Sequence, residues 1–345
     1  MRPPTRPWLA PLLLALCAGS ALAQGDPEAE QSGDAVDAGA EATAVADAPS
    51  SPLDRWAGSR INLLNQANVW ELDRGNSLTW NPYYAVGIGI APRFRVLDGL
   101  SVGAAISVLR EVTEADVTTD DGEWWFNDLS LSVSSSGIAL PGIGTRIAGG
   151  LAVFLPTSKP SQAATLLAGI RPSVSVSHRF PLLKGLSLSY SGNLRVNMHE
   201  FTTPSREAPL IPTCRGAECA ELSHTGVRNT RWQHGHRLGV SLGVLDWLSI
   251  GAGMGVYVSH LYDLAEVPDV GAPTVEPAHE RYAQSADAEL TVGPFRGLSV
   301  GLGISSFHPQ FAPDQTRYTP FYNRFTQAYL DLRLDIAGLL SSKEG

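Results

Sequence analysis

Cysteine is scarce in this 345-residue chain, with three copies, and Cys17 falls in an apolar leader. The remaining two, Cys214 and Cys219, lie close together in one long polar segment. Without a clustered histidine pair beside them they make no zinc ligand set. In an oxidising compartment they are expected to form a local disulfide that ties down a loop. Long apolar runs are missing as well: after residue 23 no stretch offers about 18 consecutive apolar residues, which excludes membrane-crossing helices. Charge is sparse at 17% and leans acidic, 34 Asp and Glu against 25 Lys and Arg, so no basic surface for nucleic acid is expected. His-x-Ser is absent everywhere, and no Gly-x-Ser-x-Gly has the strand-to-helix setting of a nucleophile elbow. The chain is therefore read as a non-enzyme, without cofactor or resident metal.

What is present begins with a leader. Arg2 and Arg6 precede the apolar run at 9–18, and Ala21-Leu22-Ala23 follows, the pattern of a secretory signal cleaved after residue 23. Leu16 before Cys17 is larger than the small residue that lipoprotein signals place there. Residues 24–54 are rich in Ala, Asp, Glu, Gly, Ser and Pro, with eight acids and no Lys or Arg. Such a segment has little to bury and is expected to be disordered. Without it and the leader, 26 acidic residues face 23 basic ones.

From residue 55 onward the chain alternates. In the stretch 298–305, Leu298, Val300, Leu302 and Ile304 share one side of a strand, and Ser299, Gly301, Gly303 and Ser305 the other. Similar openings follow turn signals at Gly99, Gly185 and Trp247. The apolar face carries almost no Lys or Glu, while the opposite face carries Gly, Ser, Ala and Arg. A soluble sandwich has the reverse distribution. An apolar outside with a polar inside is stable as a closed barrel in lipid, where every backbone group must be paired and no open edge is tolerated.

Short connections at 97–99, 140–143, 181–185, 245–247 and 294–297 alternate with long polar ones at 113–123, 157–165, 202–230, 263–280 and 309–319. Strands are expected at 83–96, 100–112, 124–135, 145–155, 166–180, 186–201, 232–244, 248–261, 282–292, 298–307 and 322–336. A weakly alternating one at 61–73 brings the total to twelve, though ten or fourteen also fit the length. Ser51-Pro52-Leu53-Asp54 could begin a short helix. Trp124, Trp125, Trp232, Tyr262, Tyr282 and Tyr322 at loop-side ends, and Phe94, Phe180, Trp247 and Phe295 at turn-side ends, read as aromatic girdles.

With these features, residues 60–337 resemble a bacterial outer-membrane β-barrel protein, an all-β, closed, antiparallel up-and-down barrel. Residues 151–157, Leu-Ala-Val-Phe-Leu-Pro-Thr, resemble the strand end of outer-membrane proteins of the phenol meta-pathway and hydrocarbon-uptake type, with Ser158 where those proteins place Gly. The resemblance implies a Gram-negative outer membrane, a periplasmic N-terminal tail, contact with the lipid bilayer, and handling by the barrel assembly machinery. Many such barrels end on an aromatic residue, whereas this chain runs on to Glu344-Gly345.

If Leu, Val and Ile face lipid, the lumen-facing charges are Arg93, Arg95, Asp128, Arg146, Arg171, Arg179, Arg195, Arg237, Asp287, Glu289, Asp331, Arg333 and Asp335. Two readings follow. Arginine rings favour anionic solutes, giving a porin-like channel with a weak anion preference. Alternatively the arginines pair with the acids and brace a non-conducting structural or surface-interaction barrel. His234 and His236 share a side of one strand, with His260 expected near Trp232 on the next. No carboxylate is expected beside them, so they read as interfacial polar rings rather than a metal site.

Overall fold

A computed structural model describes residues 55–70, 83–113, 122–207, 213–215, 218–220, 222–224, 227–263, 278–295, 297–312 and 314–341. The expected leader at 1–23, the acidic segment 24–54 and the candidate helix start at 51–54 lie outside the described residues.

Twelve strands form an unbroken ring. In chain order they are β1 (Arg60–Asn68), β2 (Tyr84–Ala91 and Arg93–Leu97), β3 (Leu100–Glu111), β4 (Trp124–Phe126, Leu129–Ser135 and Ile138–Leu140) and β5 (Thr145–Leu155), then β6 (Leu166–Phe180), β7 (Leu186–His199) and β8 (Thr230–Leu245). β9 (Leu248–Leu261), β10 (Glu280–Phe295), β11 (Leu298–Pro309) and β12 (Gln327–Asp335) complete it. Each pairs antiparallel with its neighbours in sequence, and β12 returns to β1 in continuous register from Arg60↔Asp335 to Asn68↔Gln327. That last ladder removes both edges, which is what hydrocarbon requires of a sheet. Two small hairpins lie between β7 and β8, one pairing Ser205–Glu207 with Leu222–His224 and the other Thr213–Arg215 with Glu218–Ala220.

The distribution of side chains is inverted. Leu302 is 57% exposed and Leu238 65%, with Ile88, Val102, Leu131, Leu151, Val174, Leu188 and Ile250 also exposed on the same outer face. Glu111, Gln233, Ser259 and Asp331 are among the buried residues. Exposing a single Leu to water forfeits about 1.5–3 kcal/mol, so this surface is stable only against an apolar medium.

Local breaks have local causes. Pro92 interrupts β2 because it cannot donate to the ladder. Ser59 bridges the gap: its Oγ accepts from Arg93 N and donates to Arg93 O, both at 2.9 Å. β1 ends at Asn68 rather than reaching 73, since the Asn68 side chain accepts from Trp70 N at 2.9 Å and donates to Arg324 O at 2.7 Å. β12 begins at Gln327, later than 322. The preceding segment instead packs on the outer side of β11, where it buries Ser306 against Asn323, and His308 against Tyr318 and Phe325. Two short helices were not anticipated. α1 (Lys159–Ala163) follows β5, and α2 (Ile336–Ser341) continues β12, its turn held by Gly338 N donating to Asp335. Two girdle assignments are corrected. Trp125 pairs in register with Leu109 on the inner face, and Tyr262 packs edge-on against His199, its hydroxyl donating to Asn197 O at 2.7 Å. Trp124, Tyr282 and Trp247 stand exposed at the strand ends, and Tyr322 is exposed in the segment before β12.

The charged lining of the barrel

Strand alternation sends Arg237, Asp287, Glu289, Asp331 and Arg333 to the inner face, opposite in parity to the exposed Leu238, Leu290 and Leu330. Their pairing is organised by glycines on the strands between them. Arg237 on β8 forms an ion pair with Asp287 on β10 by lying across β9. It crosses at Gly253, where a Cβ would collide with Arg237 Nη2. The same device recurs on β11. Arg333 reaches Glu289 with both terminal nitrogens, Nη1 to Oε1 at 2.7 Å and Nη2 to Oε2 at 2.5 Å, while its Nε donates to Asp331 at 2.6 Å. Tyr329 and Thr291 hydroxyls also donate to Glu289, at 2.9 and 2.6 Å. The network spans Gly301, whose Cβ would meet Glu289 Oε2 at 2.9 Å and Arg333 Nη2 at 3.1 Å. A forked guanidinium on a carboxylate is the strongest geometry for such a pair.

Toward the loop end, Phe154 is buried with two guanidinium carbons over its ring, Arg171 at 4.6 Å and Arg195 at 4.5 Å. Arg195 Nε donates to Asn197 Oδ1 at 2.8 Å. Toward the turn end, Arg93 and Arg95 share the inner face of β2, and Arg93 Nη2 reaches Ser134 Oγ at 3.5 Å. Arg146 donates to Ser136 O at 3.3 Å and Arg179 to Lys184 O at 2.9 Å. The lining thus has paired charges in its middle and arginines toward both ends. Asp128 anchors the loop carrying α1, accepting from Ser158 N at 3.0 Å and Ser161 Oγ at 2.5 Å. Asp335 sits at the start of α2, as described. Cys214 and Cys219 are register partners in the smaller hairpin.

The inner wall is not closed over by side chains on every strand. Ser173, Ser189 and Ser241 face inward by register and are exposed. Near the loop end Tyr83 accepts a hydrogen bond from Gln66 Nε2 at 3.0 Å, and burial pushes its phenol up to about 12.

The histidines form a row on the outer face. The His260 ring stacks on Trp232 with centroids 3.5 Å apart, His234 Nδ1 lies 3.2 Å from His236 Nε2, and His236 Nδ1 lies 2.8 Å from the Tyr190 hydroxyl. A carboxylate is present after all: Glu280 lies 3.1 Å from His260 Nδ1, brought there by the register pair His260↔Glu280. Among the described residues, no group of three or more His, Cys, Asp or Glu is arranged to hold a metal ion. Phe154, Tyr329, Thr291 and Asn197 were not anticipated as members of the lining. The period-two glycines at 251–255 and 301–303 were the available signal, since an inward glycine leaves room for a neighbour's long side chain.

No protein-family model matches the sequence, and no curated protein matches it. In structure the chain is similar to an outer-membrane channel from Pseudomonas putida F1, with a TM-score of 0.50 and 9% identity over 83% of this chain and 99% of that one. Looser likenesses are the NanC porin (TM-score 0.41, 8% identity, 81% and 98% covered) and the CymD monoaromatic hydrocarbon channel (0.37, 9%, 82% and 88%). The fold is that of an outer-membrane β-barrel of twelve strands.

Proposed function

We propose that this barrel resides in a Gram-negative outer membrane and lets small solutes pass, with a preference for anions. The observation that carries the reading is the inner wall of β6, β7 and β8, where Ser173, Ser189 and Ser241 present small polar side chains to open space. The mid-height network sets two arginines against three carboxylates, so the positive side chains of the inner wall lie toward either end, and they supply the preference. The reading assigns passage and not catalysis. Single-channel recording of the refolded protein in a planar bilayer under a salt gradient tests it. Discrete steps with a reversal potential on the anion side are expected, shifting toward neutrality in Arg195→Gln. Silence from a folded, inserted barrel overturns the reading and leaves a braced barrel acting through its loops, a role supported by the Arg333–Glu289–Asp331 network.

A further inference from the structure

Two aromatic rings stand on the inner wall on the loop side of the paired charges. Tyr257 on β9 faces inward, opposite in parity to the exposed Met254 and Val256. Its ring lies along the wall where glycines leave room: a Cβ on Gly235 would stand 2.6 Å from Tyr257 Cδ1, and one on Gly255 3.2 Å from its hydroxyl oxygen. Phe307 on β11 meets that ring with centroids 5.6 Å apart, and both residues are half-buried. Ser285, the register partner of both Gly255 and Phe307, lies between them on β10, its Oγ buried without a hydrogen-bond partner. Two residues further toward the turn end, Asp287 is paired in register with Ser305. Arg237 takes one Asp287 oxygen, and the Asp287 side chain stays 29% exposed. Its second oxygen, the Ser305 hydroxyl and the Tyr257 hydroxyl have no hydrogen-bond partner among the described residues. Two rings thus stand beside three open polar groups, one of them an anionic acceptor.

We propose that this patch binds the ring of a neutral monosaccharide, a solute class for the passage inferred above, and the assignment rests on that reading. A pyranose has an apolar face of C–H groups and a rim of hydroxyls. The C–H face stacks on the negative face of an aromatic ring. Hydroxyls on the rim donate to the open Asp287 oxygen and exchange bonds with Ser305 and Tyr257. A few polar groups set around aromatic surface are the usual make-up of a site for a small solute. A purely aromatic solute would cover the same rings but leave the carboxylate oxygen dehydrated and unpaired, which costs more than the stacking returns. An anion is repelled by Asp287. An organic cation gains from the ring faces but competes with Arg237, whose guanidinium already occupies that carboxylate.

The test uses the full-length barrel in planar bilayers, with glucose, phenol and choline chloride added in turn. Glucose is expected to interrupt the ion current in a saturable way, and phenol and choline at equal concentration to leave it unchanged. Tyr257→Phe keeps the ring and removes one hydroxyl, and Ser305→Ala removes another, so each should weaken glucose block about five-fold, the size of one hydrogen bond. Phe307→Leu should weaken it by a similar factor through loss of the ring, and Phe307→Tyr, which keeps a ring, should restore it. Stronger block by phenol or choline than by glucose, or wild-type block in Tyr257→Phe, Ser305→Ala and Phe307→Leu alike, overturns the assignment. A conducting channel without glucose block leaves passage standing and removes the site. Saturation-transfer NMR of glucose with protein refolded in a sugar-free detergent decides the case of an electrically silent barrel. Transfer to the glucose C–H protons that is lost in Phe307→Leu keeps the site and removes passage, and no transfer removes the site.

Discussion

Removing Arg333 probes the interior most directly. Its guanidinium makes three charge-assisted bonds, two to Glu289 and one to Asp331, and Arg333→Gln would leave two carboxylates facing each other across β11 with only Tyr329 and Thr291 still donating to Glu289. Stranding the partner of a fully buried pair costs about 3–5 kcal/mol. Arg333 is 29% exposed and Glu289 18%, so lumenal water takes up part of that, and about 2–3 kcal/mol is expected. Urea unfolding of the protein in liposomes, followed by tryptophan fluorescence, measures the change. Glu289→Gln in the same background should recover part of the loss, because it removes the repulsion with Asp331, so the two substitutions should be non-additive. The channel should also shift toward cations in Arg333→Gln, since the belt at mid-height, already one carboxylate in excess, gains a second uncompensated negative charge. A loss under about 0.5 kcal/mol with additive effects would refute the view that this network braces the barrel.

Three further outcomes are expected. Leu238→Arg, mid-strand on the outer face, should cost about 2–4 kcal/mol in liposome unfolding, while Ser189→Arg on the inner face should leave stability nearly intact and lower the conductance. The reverse pattern would mean that the faces are misassigned. The folded state favours the neutral Tyr83 phenol, whose titration rises from 10.0 to about 12. Its contribution is therefore fully present below pH 10 and lost as pH rises toward 12, and Tyr83→Phe should flatten the stability profile across that window. Cys214 and Cys219 are register partners, and directly paired antiparallel residues have Cα separations within disulfide range. Maleimide should label Cys214 and Cys219 only after reduction, and labelling of either without reductant would exclude the bond.

Much of this molecule was legible in its amino acids. Alternation with period two, the inverted polarity of the faces and the two classes of connection determined a closed barrel of about twelve strands, because lipid admits no unpaired strand edge and no charge on the outer face. Leu302 and Gly303, or Leu332 and Arg333, declare their sides from spacing alone. Where β1 stops was not legible, since it depends on Asn68 finding the carbonyl of Arg324, 256 residues away. Nor was the place of Trp125, whose side follows from its pairing with Leu109. Sequence placed arginines and acids on one face but could not match them. Partners are chosen by register and by which intervening strand offers a glycine, as Gly253 does for Arg237 and Gly301 for Arg333. The same holds for Phe154 between Arg171 and Arg195, and for Glu280 beside His260. Alternation is a local property of the chain, fixed by the pleat; contacts across two or three strands are set only when the ring closes and every register is fixed at once.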